Sequence, residues 1–132
     1  MIYVAVYVFF IYFYYNMENN EYEDLIHKSA WNDWTIISIA GRFTVQNILR
    51  VKTFFDALIS DSDVKIGIDL SKTTYLDSSA ITILLNFNRR CSEKSGKVVL
   101  FGLATDIEAI LSIVGIDKIV KTVKTVEDLT TV

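Results

Sequence analysis

The sequence contains no proline, one cysteine and one histidine among its 132 residues. The single cysteine, Cys91, cannot form an internal disulfide, which favours a reducing, cytosolic setting. Together with His27 it offers too few ligands for a zinc site and too few general bases for acid–base catalysis. We therefore expect no metal, no cofactor and no enzymatic activity of the chain itself.

Positive charge is also scarce. The chain has 13 lysines and arginines against 16 aspartates and glutamates, a net charge of −3. Nucleic-acid binding requires a basic face, so nucleic acid is not an expected partner. Hydrophobic residues make up 52% of the sequence, which excludes global disorder, and the length suits one domain with one core.

The first 16 residues lack charge altogether. No charged residue precedes Glu18, and eight of the residues from Tyr3 to Tyr15 are aromatic. The stretch is shorter than the about 20 apolar residues that span a bilayer, and it lacks the basic start of a signal peptide. We interpret residues 1–16 as a translated leader outside the fold, and residues 17–132, from Met17, as the domain. The alternative is a membrane-surface anchor. It is disfavoured because no basic residues flank the segment, so membrane association is expected only if residues 1–16 are retained.

From Tyr22 onward, stretches with the periodicity of strands alternate with stretches with the periodicity of helices. The first two, YEDLIHKSA and WTIISIAG, flank Trp31-Asn32-Asp33 and predict a β-hairpin. The complete order is ββαβαβαβα. It predicts an α/β fold, a single domain in which helices pack on a mostly parallel sheet with the antiparallel hairpin at its edge.

Four positions are predicted to mark helix ends. Thr44 is predicted to be the N-cap of the first helix, and Thr105, with Glu108 three residues later, forms the pattern of a capping box. Gly96 and Gly115 are each predicted to end the helix that precedes them.

The stretch IDLSKTTYLDSSAITILLNF begins with strand periodicity and ends with helical periodicity, and Asp77-Ser78-Ser79 lies at the junction. Ile81, Leu84 and Leu85 define the predicted apolar face of the helix. Asp and Ser are preferred N-caps because their oxygens accept the free N–H groups of the first turn, but a cap needs only one residue. The junction also lies at the carboxyl end of a predicted parallel strand, where α/β folds place ligands and reactive groups.

Three chemical roles could be considered: Ser78 as a hydrolase nucleophile, a phosphate-binding loop in the chain, and Ser78 as a phosphorylation site. A hydrolase nucleophile is disfavoured because the flanking positions are Leu76 and Ala80 instead of the glycines of G-x-S-x-G. A phosphate-binding loop is disfavoured because the only Gly-Lys pair, Gly96-Lys97, lacks the earlier glycine. Phosphorylation is physically suitable. It would add about −1.5 to −2 charges at a helix N-terminus, where the helix dipole favours negative charge.

The residues IGIDLSKTTYLDSSAITILLNFNRRCSEKSGKVVLFGL resemble the STAS domain, named for sulfate transporters and anti-sigma factor antagonists, and most strongly the small bacterial antagonists. Their pattern is an apolar strand with Asp-Leu, then Asp-Ser-Ser-Gly, an apolar helix, a glycine and an apolar strand. ISIAGRFT resembles the family's early strand ending in Gly-x-Leu-Asp, and ILSIVGIDKIV its leucine-rich helix and short last strand. The similarity runs from Tyr22 to the end, in the right order.

The resemblance implies that Ser78 is phosphorylated by a partner that is both an anti-sigma factor and a serine kinase. The unphosphorylated protein then binds this partner and releases a sigma factor, whereas the phosphorylated protein does not. Asp77 is implied to position the loop. The protein is expected in the cytoplasm. Its expected partner-binding residues are Asp77, Ser78, Ser79, Ala80 and Thr44.

Two positions depart from the family pattern. Ala80 replaces the glycine, and Thr44 stands at the early acidic position. We expect the Ala80 methyl group to project where a kinase would dock. The alternative function is a STAS module that binds a protein partner constitutively, as a scaffold or transporter-associated subunit, with Ser78 only a helix cap.

Overall fold

The computed structural model describes residues 2–11, 25–60 and 64–132. Residues 2–11 are helical, and their large apolar side chains are exposed. The predicted start at Met17 lies outside the described residues, and the boundary between leader and domain stays a prediction. No helix among the described residues combines the length and apolar character needed to cross a membrane.

Strands and helices alternate along the rest of the described chain. The strands are β1 (Ile26–Trp31), β2 (Trp34–Ile39), β3 (Gly41–Phe43), β4 (Lys65–Asp69), β5 (Thr73–Leu76), β6 (Lys97–Phe101) and β7 (Lys121–Val123). The helices are α1 (Ile48–Leu58), α2 (Ser78–Glu93) and α3 (Thr105–Ile113), with 3₁₀ helices at Ile116–Lys118 and Val126–Thr131. The helix predicted at the end of the sequence is the second of these 3₁₀ helices.

The main sheet has five strands in the order β1-β2-β4-β6-β7. β1 and β2 form the antiparallel hairpin, with Trp31 opposite Trp34 across the turn. β2, β4, β6 and β7 are parallel. The predicted fold class, a mostly parallel sheet with an antiparallel hairpin at its edge and helices packed on it, is confirmed.

A second, two-stranded parallel sheet of β3 and β5 was not predicted. It forms because the chain turns at Gly41, where φ is +79°, a conformation that glycine adopts without steric cost. The Thr73 hydroxyl then donates to the carbonyl oxygen of Ile39 at 2.6 Å. β3 leads into the loop at Thr44, and β5 leads to the start of α2.

The core lies on both faces of the main sheet. The larger cluster lies under the helices, where the rings of Phe55 and Phe87 stack with centroids 4.1 Å apart. Cys91, on α2, is buried in this cluster, and burial raises the pKa of its thiol against the opposing effect of the Arg90 charge. The smaller cluster on the opposite face includes Leu129 from the last 3₁₀ helix and Trp34.

Two predicted N-caps are wrong. α1 begins at Ile48 after Asn47, whose side-chain oxygen accepts the Thr44 N–H at 3.0 Å. Thr44 lies in the preceding turn, where its hydroxyl accepts the Gln46 N–H at 3.3 Å, a local side-chain-to-backbone bond outside the helix. Thr105 is the first residue of α3, after Ala104, and no side chain caps this helix. A capping box does occur at the last 3₁₀ helix, between Thr125 and Asp128.

The two predicted glycine stops differ in their geometry. Gly115 follows α3 with a φ of +77°, as predicted. After α2, Ser95 takes the left-handed conformation, with a φ of +60°, and Gly96 donates its N–H to the Cys91 carbonyl oxygen at 2.7 Å. A Cβ atom at residue 96 would lie 2.9 Å from the Val64 carbonyl oxygen, so Gly96 is required for close approach of the two segments.

Candidate functional site

α2 begins at the predicted junction, and Asp77 is its N-cap. The Asp77 backbone is extended, and its Oδ1 accepts the Ala80 N–H at 3.0 Å. This is the usual geometry of an N-cap, in which a side-chain oxygen satisfies an N–H of the first turn. Ser78 is the first helical residue, so the expectation that Ser78 itself is the helix cap is wrong, while the scaffold function is not tested by this geometry.

The second carboxylate oxygen of Asp77 connects two loops. Oδ2 accepts the Val45 N–H at 2.8 Å, and the Asp77 N–H donates to the Phe43 carbonyl oxygen at 3.3 Å. Desolvation acts to raise the pKa of Asp77, but hydrogen bonds from the Ala80, Val45 and Ser79 N–H groups outweigh it and hold the pKa below its usual range. Asp77 is therefore ionised near neutral pH and holds the loop after β3 against the start of α2.

The Ser78 side chain is exposed at the N-terminus of α2. Its carbonyl oxygen accepts the Thr82 hydroxyl at 2.9 Å. Within the described parts of the chain, its own hydroxyl makes no hydrogen bond. The hydroxyl is thus accessible to a second protein and is not needed to hold the helix end together.

The other predicted partner-binding residues lie near Ser78 but differ in exposure. Ser79 is half-buried, and Thr44 is only 8% exposed, with its hydroxyl accepting the Gln46 N–H at 3.3 Å. Ala80 is 0% exposed. Its methyl group points into the core and not toward a docking partner, so that expectation is wrong. Ala80 lies on the buried face of α2 together with Leu84. The predicted apolar face began instead at Ile81.

Four exposed side chains on β3, on β5 and between β3 and the first turn of α1 were missed by sequence reasoning. Val45 and Leu49 follow β3, and Arg42 and Tyr75 are paired across β3 and β5. The Arg42 guanidinium lies 4.4 Å from the centroid of the Tyr75 ring. No periodicity marks these residues, because their proximity depends on the pairing of β3 with β5.

Among the described residues, neither a metal-binding cluster nor an imidazole accompanies Ser78. No group of three or more His, Cys, Asp or Glu side chains that could hold a metal ion occurs in residues 2–11, 25–60 and 64–132. His27, the only histidine of the sequence, lies on the edge strand β1, and among the described residues no hydrogen bond joins it to Ser78. Ser78 therefore has no imidazole partner to activate it as a nucleophile.

Residues 25–129 match the sequence profile of the STAS domain. The chain belongs to the STAS domain family. An anti-sigma-B factor antagonist from Listeria monocytogenes is 24% identical over 100 residues, which cover 76% of this STAS chain and 87% of that protein.

Solved structures agree with the fold. A crystal structure of a putative anti-sigma factor antagonist from Thermotoga maritima aligns with a TM-score of 0.74 at 21% identity, covering 80% of this chain and 92% of that one. The phosphorylated form of SpoIIAA, a Bacillus cell fate determinant, aligns with a TM-score of 0.62 at 14% identity, covering 80% and 96%. These likenesses establish that the STAS fold extends over most of the described chain.

Proposed function

We propose that this STAS domain is an anti-sigma factor antagonist that is switched off by phosphorylation of Ser78. In the unphosphorylated state it binds an anti-sigma factor that is also a serine kinase, and the sigma factor is released. The observation that carries the proposal is the division of roles at the start of α2. Asp77 caps the helix, so the adjacent Ser78 hydroxyl is exposed and has no structural duty.

The partner kinase catalyses the phosphoryl transfer. The kinase transfers the γ-phosphoryl group of ATP to the Ser78 oxygen, the hydroxyl proton is lost, and ADP leaves. The STAS domain supplies the acceptor and the docking surface and is itself no enzyme. Since the kinase requires ATP, the proposal places the switch in the cytoplasm.

Phosphorylation at this position changes the surface without threatening the fold. The phosphate adds about −1.5 to −2 charges, and the N–H groups and dipole at the N-terminus of α2 stabilise negative charge. A partner that fits the uncharged serine must then bury an uncompensated charge, which is costly at an interface. The relatives named as antagonists, and the phosphorylated form of one structural neighbour, support this mode of regulation.

The test is a phosphorylation assay with purified proteins. The full chain is incubated with MgATP and, in turn, each small histidine-kinase-like ATPase of the source genome, starting with any encoded beside the gene. We expect one ATPase to add one phosphate, mapped by peptide mass spectrometry to Ser78. Ser78→Ala should abolish the modification and keep kinase binding, while the neighbouring Ser79→Ala should remain a substrate.

Two results would count against the proposal. Phosphate found only at Ser79, or at no serine of this loop, contradicts the assignment of Ser78. A partner that binds Ser78→Asp as tightly as the wild type, with no phosphate at Ser78, supports the constitutive scaffold instead.

A further inference from the structure

Four exposed side chains on β3, on β5 and between β3 and the first turn of α1 are not used by the fold. They form what we term the Arg42 face, defined as Arg42, Val45, Leu49 and Tyr75. It is continuous with the modification site, because Val45 is held to Asp77 by a 2.8 Å hydrogen bond and Asp77 precedes Ser78. A protein that docks at the Ser78 hydroxyl would therefore meet this face first at Val45.

Arg42 gives the Arg42 face a positive charge that forms no ion pair with the described residues. The Arg42 guanidinium carbon lies 4.4 Å from the centroid of the exposed Tyr75 ring, and among the described residues no carboxylate lies within ion-pair distance of the guanidinium. The Arg42 side chain is exposed, so a partner can approach its guanidinium from solvent. A planar guanidinium presented in this way matches a carboxylate with two parallel hydrogen bonds.

The remaining part of the Arg42 face is apolar. Val45 is 63% exposed and Leu49, four residues later on α1, is 76% exposed. Arginine and tyrosine are enriched at the energetic centres of protein interfaces, where apolar neighbours exclude water. The combination indicates a protein surface as ligand, because neither a free anion nor a small metabolite would cover the apolar side chains.

We infer that the Arg42 face is the specificity surface for the kinase partner, and that it binds a partner carboxylate surrounded by apolar side chains. This inference rests on the proposed function. It also explains why phosphorylation is effective, since the partner carboxylate that pairs with Arg42 would be repelled by a phosphate on nearby Ser78. One acidic group on the partner thus provides both attraction to the unmodified form and rejection of the modified form.

The first experiment uses the ATPase that phosphorylates the wild-type chain. Its dissociation constant for the unphosphorylated chain is measured by titration calorimetry at low and high salt. Arg42→Glu should weaken binding by about tenfold or more and reduce the salt dependence. Lys118→Glu is the matched control. It makes the same change in net charge on an exposed residue of the 3₁₀ helix Ile116–Lys118, outside the Arg42 face, and should change binding less than twofold.

A second pair of variants tests the apolar part. Leu49→Ala should weaken binding by about fivefold. Ile113→Ala, which truncates an 84% exposed side chain at the far end of α3, should have no effect. Both substitutions favour helix and should leave the thermal melt unchanged or slightly raised.

The outcomes separate this inference from the proposed function. If no ATPase binds or modifies the wild type, both fail. If the wild type is bound and phosphorylated at Ser78 while Arg42→Glu and Leu49→Ala bind as their controls do, only the specificity surface is wrong. Weakened binding by Arg42→Glu, with a folded variant and an unaffected Lys118→Glu, establishes it.

Discussion

The Asp77 carboxylate accepts the backbone N–H of Val45 at 2.8 Å, although 32 residues separate them in the sequence. The same carboxylate accepts the Ala80 N–H at 3.0 Å. One side chain therefore caps α2 and ties the loop after β3 to it. This connection holds Val45 beside the residue that precedes Ser78.

Replacing Asp77 should be costly for stability. Asp77→Ala removes an N-cap, worth about 0.5–2 kcal/mol, and a hydrogen bond to a charged group, worth about 1.5–3 kcal/mol. We expect a loss of about 2–4 kcal/mol in the free energy of unfolding, measured by urea denaturation. Asp106→Ala is the control, because Asp106 bonds only the adjacent Ile107 N–H, and it should cost well under half as much. Equal losses in the two variants would show that Asp77 has only a local role.

The contribution of Asp77 should depend on pH. Its pKa in the folded chain lies below its value in the unfolded chain, so the ionised carboxylate stabilises the fold above about pH 3.9, the ordinary value for Asp. This stabilisation is lost as the pH falls through the folded pKa. The difference in unfolding free energy between wild type and Asp77→Asn should therefore be largest near pH 7 and shrink toward pH 2. A difference that is constant from pH 7 to pH 2 would contradict the assigned charge.

Ala80→Gly should affect stability but not recognition. The Ala80 side chain is completely buried, and glycine in a helix costs about 1 kcal/mol relative to alanine, with about 0.8 kcal/mol more for the lost methyl burial. We expect the free energy of unfolding to fall by about 1–2 kcal/mol. The rate of Ser78 phosphorylation should stay the same under conditions where both proteins are folded. A faster reaction in the glycine variant would mean that the methyl group does hinder docking.

Ser78→Asp should fold normally and bind the kinase weakly. A carboxylate at the first position of α2 gains about 0.3–1 kcal/mol from the helix dipole, which offsets repulsion from the neighbouring Asp77. Thermal melting should therefore differ from the wild type by only a few degrees. Ser78→Asn, similar in size but uncharged, is the control and should keep most of the binding. Loss of binding in both variants would point to shape and not charge as the cause.

Gly96→Ala should destabilise the domain by about 1–3 kcal/mol, a typical cost of overpacking. The added Cβ would lie 2.9 Å from the Val64 carbonyl oxygen and 3.0 Å from that of Cys91, so the backbone must move. Ser95→Gly is the paired variant. Ser95 has a positive φ, and glycine there should stabilise the domain by up to about 1 kcal/mol. Chemical denaturation of the two variants should give changes of opposite sign.

The sequence predicted the elements with strong periodicity and missed those that depend on distant pairing. The hairpin, β4 and α2 were predicted because alternation or helical spacing extends over several residues. β3 is only three residues long, and its pairing with β5 joins Gly41 to Thr73. No local pattern encodes such a contact, so the Arg42–Tyr75 pair was missed with it.

The position of the candidate site in the chain could be predicted from the sequence, but the burial of each of its side chains could be predicted only in part. Asp77 and Ser78 lie where the strand-to-helix junction placed them. The burial of Ala80 was missed because Ile81 was assigned to the apolar face. The spacing of Ala80, Leu84, Phe87 and Cys91 marks the face that is in fact buried. Alanine is small enough to suit either face, so its own identity gave no signal.

Because Cys91 is buried, the reaction of its thiol with a reagent reports local opening of the fold around α2. Cys91 is the only thiol in the sequence, it is 1% exposed, and its pKa is raised by burial. A maleimide or disulfide reagent needs an accessible thiolate, so labelling can proceed only when α2 separates from the sheet. The labelling rate of each variant would then measure how often the helix that presents Ser78 detaches, without any added probe.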